Sequence, residues 1–165
     1  MKTTVLKSNN IKYSEHKVGE ETVYSFQSLW FSNSIAFIES PVYNYVQRAN
    51  SQSNLKLDDP WGGSAITLKA KMIEMRLYDQ FANTVNAFFL TAAAVSANCL
   101  AQNYSWSDYL QKIKACRARL DRNLDISYPI DKANMSMKAK FVGWLLQHSF
   151  YLIIWMLANA RKLIH

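Results

Sequence analysis

Residues 64–100 read SAITLKAKMIEMRLYDQFANTVNAFFLTAAAVSANCL, and this stretch decides the fold. Ile66, Ala70, Ile73, Leu77, Phe81, Val85, Phe88, Ala92, Val95 and Cys99 recur at intervals of three or four, which predicts one long helix with a single buried stripe. Met72, Met75 and Phe89 widen that stripe. Lys69, Lys71, Glu74, Arg76 and Asp79 form an early polar face, but beyond Asn86 nearly every residue is apolar or small. A helix apolar all round belongs at the centre of a bundle.

Working outward, Ser105 with Asp108 three residues later has the form of a reciprocal N-cap. Tyr109, Leu110, Ile113, Cys116, Leu120 and Leu124 then share one helical face. Residues 125–134 are a connection, with Pro129 arguing against an uninterrupted helix. A last helix is expected over 136–162, its apolar series Phe141, Leu145, Leu152, Met156 and Ile164 supported by Val142, Trp144, Ile153, Ile154 and Trp155. Arg161 and Lys162 suit the negative end of its dipole.

On the N-terminal side, the polar run at 50–54 and the turn formers Asp58-Asp59-Pro60-Trp61-Gly62-Gly63 mark a long connection anchored by Trp61. Before it, a helix from near Ser25 to ahead of Pro41 and a short helical piece over 42–49 are expected. Residues 1–24 are less regular, with Ile11, Tyr13, Val18, Val23 and Tyr24 fitting a short β-hairpin around Gly19. The expected fold class is mainly α: a compact helical bundle with a long central helix, one domain over 1–165, with room for that N-terminal hairpin.

The chain carries 19 Lys and Arg against 12 Asp and Glu, a formal charge of +7. Such a balance favours polyanions or an anionic membrane surface as partners, but it governs encounter rather than defining a site. Cys99 and Cys116 are distant from each other and from any His, so they read as small core residues and not as zinc ligands. Residues 1–10 lack the apolar run of a secretory signal, and a cytoplasmic location is the simplest expectation.

Residues 141–160 and 84–101 contain no Lys, Arg, Asp or Glu, and the former has the length of a membrane span. Gln147, His148, Ser149 and Asn159 interrupt the first and Asn86, Ser96 and Asn98 the second. Such groups find partners more readily at a bundle seam than in lipid, so a soluble bundle is expected, with membrane association left open.

At about 100° per residue, Lys112 and Arg119 project in nearly the same direction with Arg122 beside them, away from the apolar stripe. These three are the leading nucleic-acid-binding candidates. Lys69, Lys71 and Arg76 make a second, weaker patch diluted by Glu74 and Asp79. Arg117 lies closer to the stripe, where its stem can snorkel. Trp61, Trp106, Trp144 and Trp155 are candidate interface residues. His148 interrupts an apolar helix, but consecutive side chains do not form a relay, so a hydrogen-bonded seam histidine is the simpler reading. Phosphate-loop, dinucleotide and metalloprotease patterns are absent from the sequence, and neither catalytic residue, metal nor cofactor is expected.

Ser28-Leu29-Trp30-Phe31, the Asp58-Asp59-Pro60-Trp61-Gly62 turn and the region from Leu152 through Ile164 resemble, in order and separation, portions of an uncharacterised family of integrating conjugative element proteins. The chain departs from that pattern at Trp61-Gly62-Gly63 and at its end. The resemblance implies a setting in mobile-element biology, through DNA or a transfer-related complex, and supplies no catalytic residues. The function expected is a nonenzymatic nucleic-acid-associated or conjugation accessory protein. The competing expectation is a structural subunit or oligomeric scaffold, with a protein partner or second copy covering apolar helix surface.

Overall fold

The structure, a computed structural model, describes residues 3–13, 19–37, 39, 40 and 57–160. Its elements are α1 (Thr3–Ser8), α2 (Glu20–Trp30), α3 (Gly62–Glu74), α4 (Tyr78–Asn103), α5 (Trp106–Asn123), α6 (Met137–Gln147) and α7 (Tyr151–Ala160), with no strand among the described residues. The chain groups into two compact units, Met1–Leu55 and Lys56–His165, and the division falls at the polar connection.

The expected N-terminal hairpin is replaced by helix: Val23 and Tyr24 lie in α2, and Val18 lies outside the described residues. Val23 and Gln27, four apart, are buried, while Tyr13 stacks on Tyr24 with ring centroids 4.1 Å apart. A spacing of four is helical, and Tyr24 therefore meets Tyr13 by ring stacking rather than across a ladder. The helix stops at Trp30, well short of Pro41, and the expected piece over 42–49 falls outside the described residues.

The helix expected through 64–100 is two helices, α3 and α4, and the one expected over 136–162 is likewise divided into α6 and α7. Both breaks have the same construction. Arg76 has φ 57°, its N–H donates to Ile73 O and the N–H of Leu77 reaches back to Met72 O at 2.8 Å. Ser149 has φ 60°, its N–H donates to Leu146 O and Phe150 N–H reaches Leu145 O at 2.9 Å. These are Schellman closures with an apolar residue following the left-handed one, and Asn10 ends α1 in the same way before Ile11.

The breaks change which residues face the core. In α3 the buried residues are Gly62, Ser64, Ala65, Leu68 and Met72, while Ile66, Ala70 and Ile73 of the expected stripe are exposed. In α7 Ile154 and Ala158 are buried and Leu152 and Met156 face outward. The α5 stripe is as expected, with Tyr109, Ile113, Cys116 and Leu120 buried.

Helix α4 runs through the centre of the second unit and packs against α3, α5, α6 and α7. Its buried Ala92, Ala93, Ala94, Ser96, Ala97 and Ala101 keep it thin enough for neighbours to approach from several sides. Where α6 crosses it, a Cβ on Gly143 would stand 2.9 Å from Leu90 Cγ, so the close crossing requires glycine there. Buried Asn86 is satisfied by the connection after α5: its amide donates to Asp125 O and Tyr128 O, and its Oδ1 accepts from Asp125 N–H. α4 is long and apolar enough to cross a membrane, but 67% of its apolar window is buried inside the protein, as for a core helix.

A closed basic recess and an open apolar face

Asp59 organises the start of α3. Its Oδ1 accepts from the N–H of Gly62, the first residue of α3, at 3.0 Å, supplying a partner to one of the helix's open N-terminal donors. A Cβ at residue 62 would overlap that carboxylate, which explains glycine there. Asp59 also accepts from Ser96 Oγ of α4 at 2.7 Å and pairs with the Arg119 guanidinium of α5. Next to it, Asp58 accepts from Lys112 Nζ at 2.9 Å and Tyr104 OH at 2.9 Å, and the ammonium stands 4.4 Å from the centre of the Tyr104 ring. The Asp58 hydrogen bond, followed by that to Tyr104, holds the Lys112 pKa above its usual value.

Lys112, Arg119 and Arg122 thus line one recess, of about 290 Å³, together with Asp58, Asp59, Ser96 and Cys116. The two aspartates, read in the sequence only as turn formers, neutralise two of the three cations. Arg122 is exposed and has no ion pair among the described residues.

The weaker basic patch is not assembled as one surface. Lys69 Nζ donates to Asn123 O, 2.8 Å away at the end of α5, and lies 5.1 Å from the Tyr78 ring centre. Lys71 pairs with Glu74 at 2.8 Å, and Arg76 is the exposed left-handed residue between α3 and α4. Arg117 pairs with Asp121 and also donates to Leu146 O at 2.9 Å, near the end of α6. Lys69 and Arg117 thus place positive charge at the negative ends of neighbouring helices.

Of the four candidate interface tryptophans, Trp106 and Trp155 pack edge to face at 5.9 Å, and Trp155 Nε1 donates to Tyr104 O. They tie α5 to α7. Trp61 lies 6.4 Å from the Phe88 ring and borders an apolar groove of about 190 Å³ with Val95, Asn98, Lys138 and Val142. Trp144 faces outward. The His148 ring lies tilted against it with centres 4.6 Å apart and its Nδ1 lies 2.9 Å from Trp144 O; both histidine and tryptophan are exposed, so His148 caps the end of α6 at the surface.

The feature that helical periodicity missed is the outward side of α6 and α7. Phe141, Trp144, Phe150, Leu152, Ile153, Met156 and Leu157 are each 39 to 52% exposed. On α7 the exposed residues 152, 153, 156 and 157 form one face; on α6 residues 137, 141 and 144 do so. Between them runs a groove lined by Lys138, Phe141, Val142, Ile154 and Leu157, which shows that α7 folds back along α6. Phe141 of α6 and Leu157 of α7 thus meet at one groove, with the other exposed apolar side chains on the outward faces of the same two helices.

Among the described residues, no three His, Cys, Asp or Glu side chains come together in a way that could hold a metal ion. Comparison with protein-family models, curated proteins and solved structures found no match to this chain. What fold and surface define is therefore a class: an all-α bundle around a central helix, with a basic recess in which two of three cations are paired and an exposed apolar helical pair.

Proposed function

We propose that the protein is a nonenzymatic docking protein whose docking surface is the outward side of α6 and α7. The observation that carries this reading is the run of large apolar side chains on that side, left open after α4 has packed against its neighbours. Replacing Phe141, Leu152 and Met156 together by serine tests it. All three are about half exposed, so the helical circular-dichroism spectrum should be retained. The parent should bind an apolar fluorescent dye and self-associate as concentration rises, and the triple variant should do neither. Equal dye binding and equal mass for the two proteins would contradict the proposal.

A second reading, polyanion binding by a nucleic-acid-associated or conjugation accessory protein, is favoured by one observation: Lys112, Arg119 and Arg122 share a recess. A phosphate backbone would have to displace Asp58 and Asp59. On this reading, Asp58→Asn with Asp59→Asn strengthens salt-dependent binding to a DNA oligonucleotide, and Lys112→Ala with Arg122→Ala weakens it. Unchanged affinity in both variants would discard it.

A further inference from the structure

Resting on the reading that the outward side of α6 and α7 is the working surface, we propose that this surface docks onto an anionic lipid bilayer, lying in one leaflet without crossing it. Three observations point to that occupant.

The first is charge. All 12 acidic residues of the chain precede position 132, whereas the described residues 132–160 contain Lys132, Lys138 and Lys140. Within α6 and α7 themselves the charged residues are Lys138 and Lys140, both cations, and an apolar face flanked by cations complements an anionic headgroup layer.

The second is the placement of those charges. Lys138 stands at the start of α6 and borders the groove it shares with Leu157 and Ala158 near the end of α7. Trp144, His148 and Phe150 cluster at the opposite, turn end of the pair, with Trp144 and Phe150 ring centres 5.5 Å apart. Cations are therefore available for headgroups at one end of an apolar face, and aromatic rings suited to the interfacial zone at the other.

The third is length. α6 has 11 residues and α7 has 10, each about 15 Å at the rise of an α-helix. That is about half the hydrocarbon thickness of a bilayer, and the closure at Ser149 prevents the two from forming one spanning rod. Apolar faces of this size insert to the depth of the headgroup and acyl boundary.

Flotation of the full chain with phosphatidylcholine vesicles, with and without about a third phosphatidylglycerol, tests the proposal. Binding to the anionic vesicles should exceed that to neutral ones by about tenfold in moderate salt and fall several-fold at high salt, as screening shortens the reach of the lysines. Lys138→Glu with Lys140→Glu should abolish the preference while leaving the circular-dichroism spectrum unchanged. The triple serine variant should lose binding to both vesicle types. If the parent floats with neither vesicle yet forms a dimer that the triple variant does not, the lipid assignment is overturned and the docking surface stands. Equal binding to neutral and anionic vesicles overturns the anionic assignment. If parent and triple variant match in flotation and in mass, the docking surface itself is overturned.

Discussion

The Arg119 guanidinium of α5 is paired with the Asp59 carboxylate that also holds Gly62 N–H and Ser96 Oγ. A single side chain thus joins the start of α3, the middle of α4 and the basic side of α5. Asp59→Ala removes all three contacts and should destabilise the protein by about 2–3 kcal/mol in chemical denaturation. Arg119→Ala should cost about 1 kcal/mol, because both partners keep roughly a quarter of their exposure and solvent screens the pair. A double-mutant cycle should give a larger coupling for this pair than for the more exposed Lys112 and Asp58.

Arg76 and Ser149 hold left-handed conformations that glycine adopts without strain. Arg76→Gly and Ser149→Gly should each stabilise the fold by about 0.5–1 kcal/mol, read as a higher denaturant midpoint at unchanged slope. Destabilisation by either would mean that the helix break at that position is not the one described.

Gly143 is where α6 comes closest to α4. Gly143→Val should destabilise by about 1–3 kcal/mol through overpacking against Leu90. Adding Leu90→Ala should recover part of the loss, a coupling that thermal unfolding of the two single variants and the double variant would reveal.

Burial pushes the Cys116 thiol up to about 11, partly offset by Arg119. Since the raised value favours the protonated form in the folded state, Cys116 has its full stabilising effect, relative to the alkaline limit, below the ordinary thiol value of 9.0. That contribution is lost as pH rises toward about 11. Disulfide-exchange labelling at neutral pH should modify half-exposed Cys99 first and reach Cys116 only on unfolding. Equal rates for the two thiols would contradict the packing of α5 on α4.

The helical class, the central position of residues 86–101, the α5 stripe and the beginning of a helix after Ser136 were legible because periodicity is a local signal. Ser105 stands at the N-cap of α5 but makes no side-chain bond to the helix backbone, its Oγ donating to Asp108 Oδ2 at 2.8 Å instead, whereas Ser136, not read as a cap, accepts from Ala139 N–H at 3.2 Å. The two breaks were not legible, since the usual mark of a left-handed C-terminal residue is glycine and here it is Arg76 and Ser149. That omission put Ile66, Ile73, Leu152 and Met156 on the wrong side. In the basic recess, periodicity correctly brought Lys112, Arg119 and Arg122 to one face. It had no access to Asp58 and Asp59, 54 and 60 positions from the cations they meet.

The central claim is that the outward side of α6 and α7, left exposed by the helices of its own unit, is covered when the protein docks. A polarity-sensitive fluorophore on Met156→Cys, in a Cys99→Ser background, measures this directly. The account predicts water-like emission in dilute protein, and a blue shift with loss of quencher access when anionic vesicles are added. Blue-shifted, quencher-resistant emission already present in the dilute monomer, unchanged by vesicles, would contradict it.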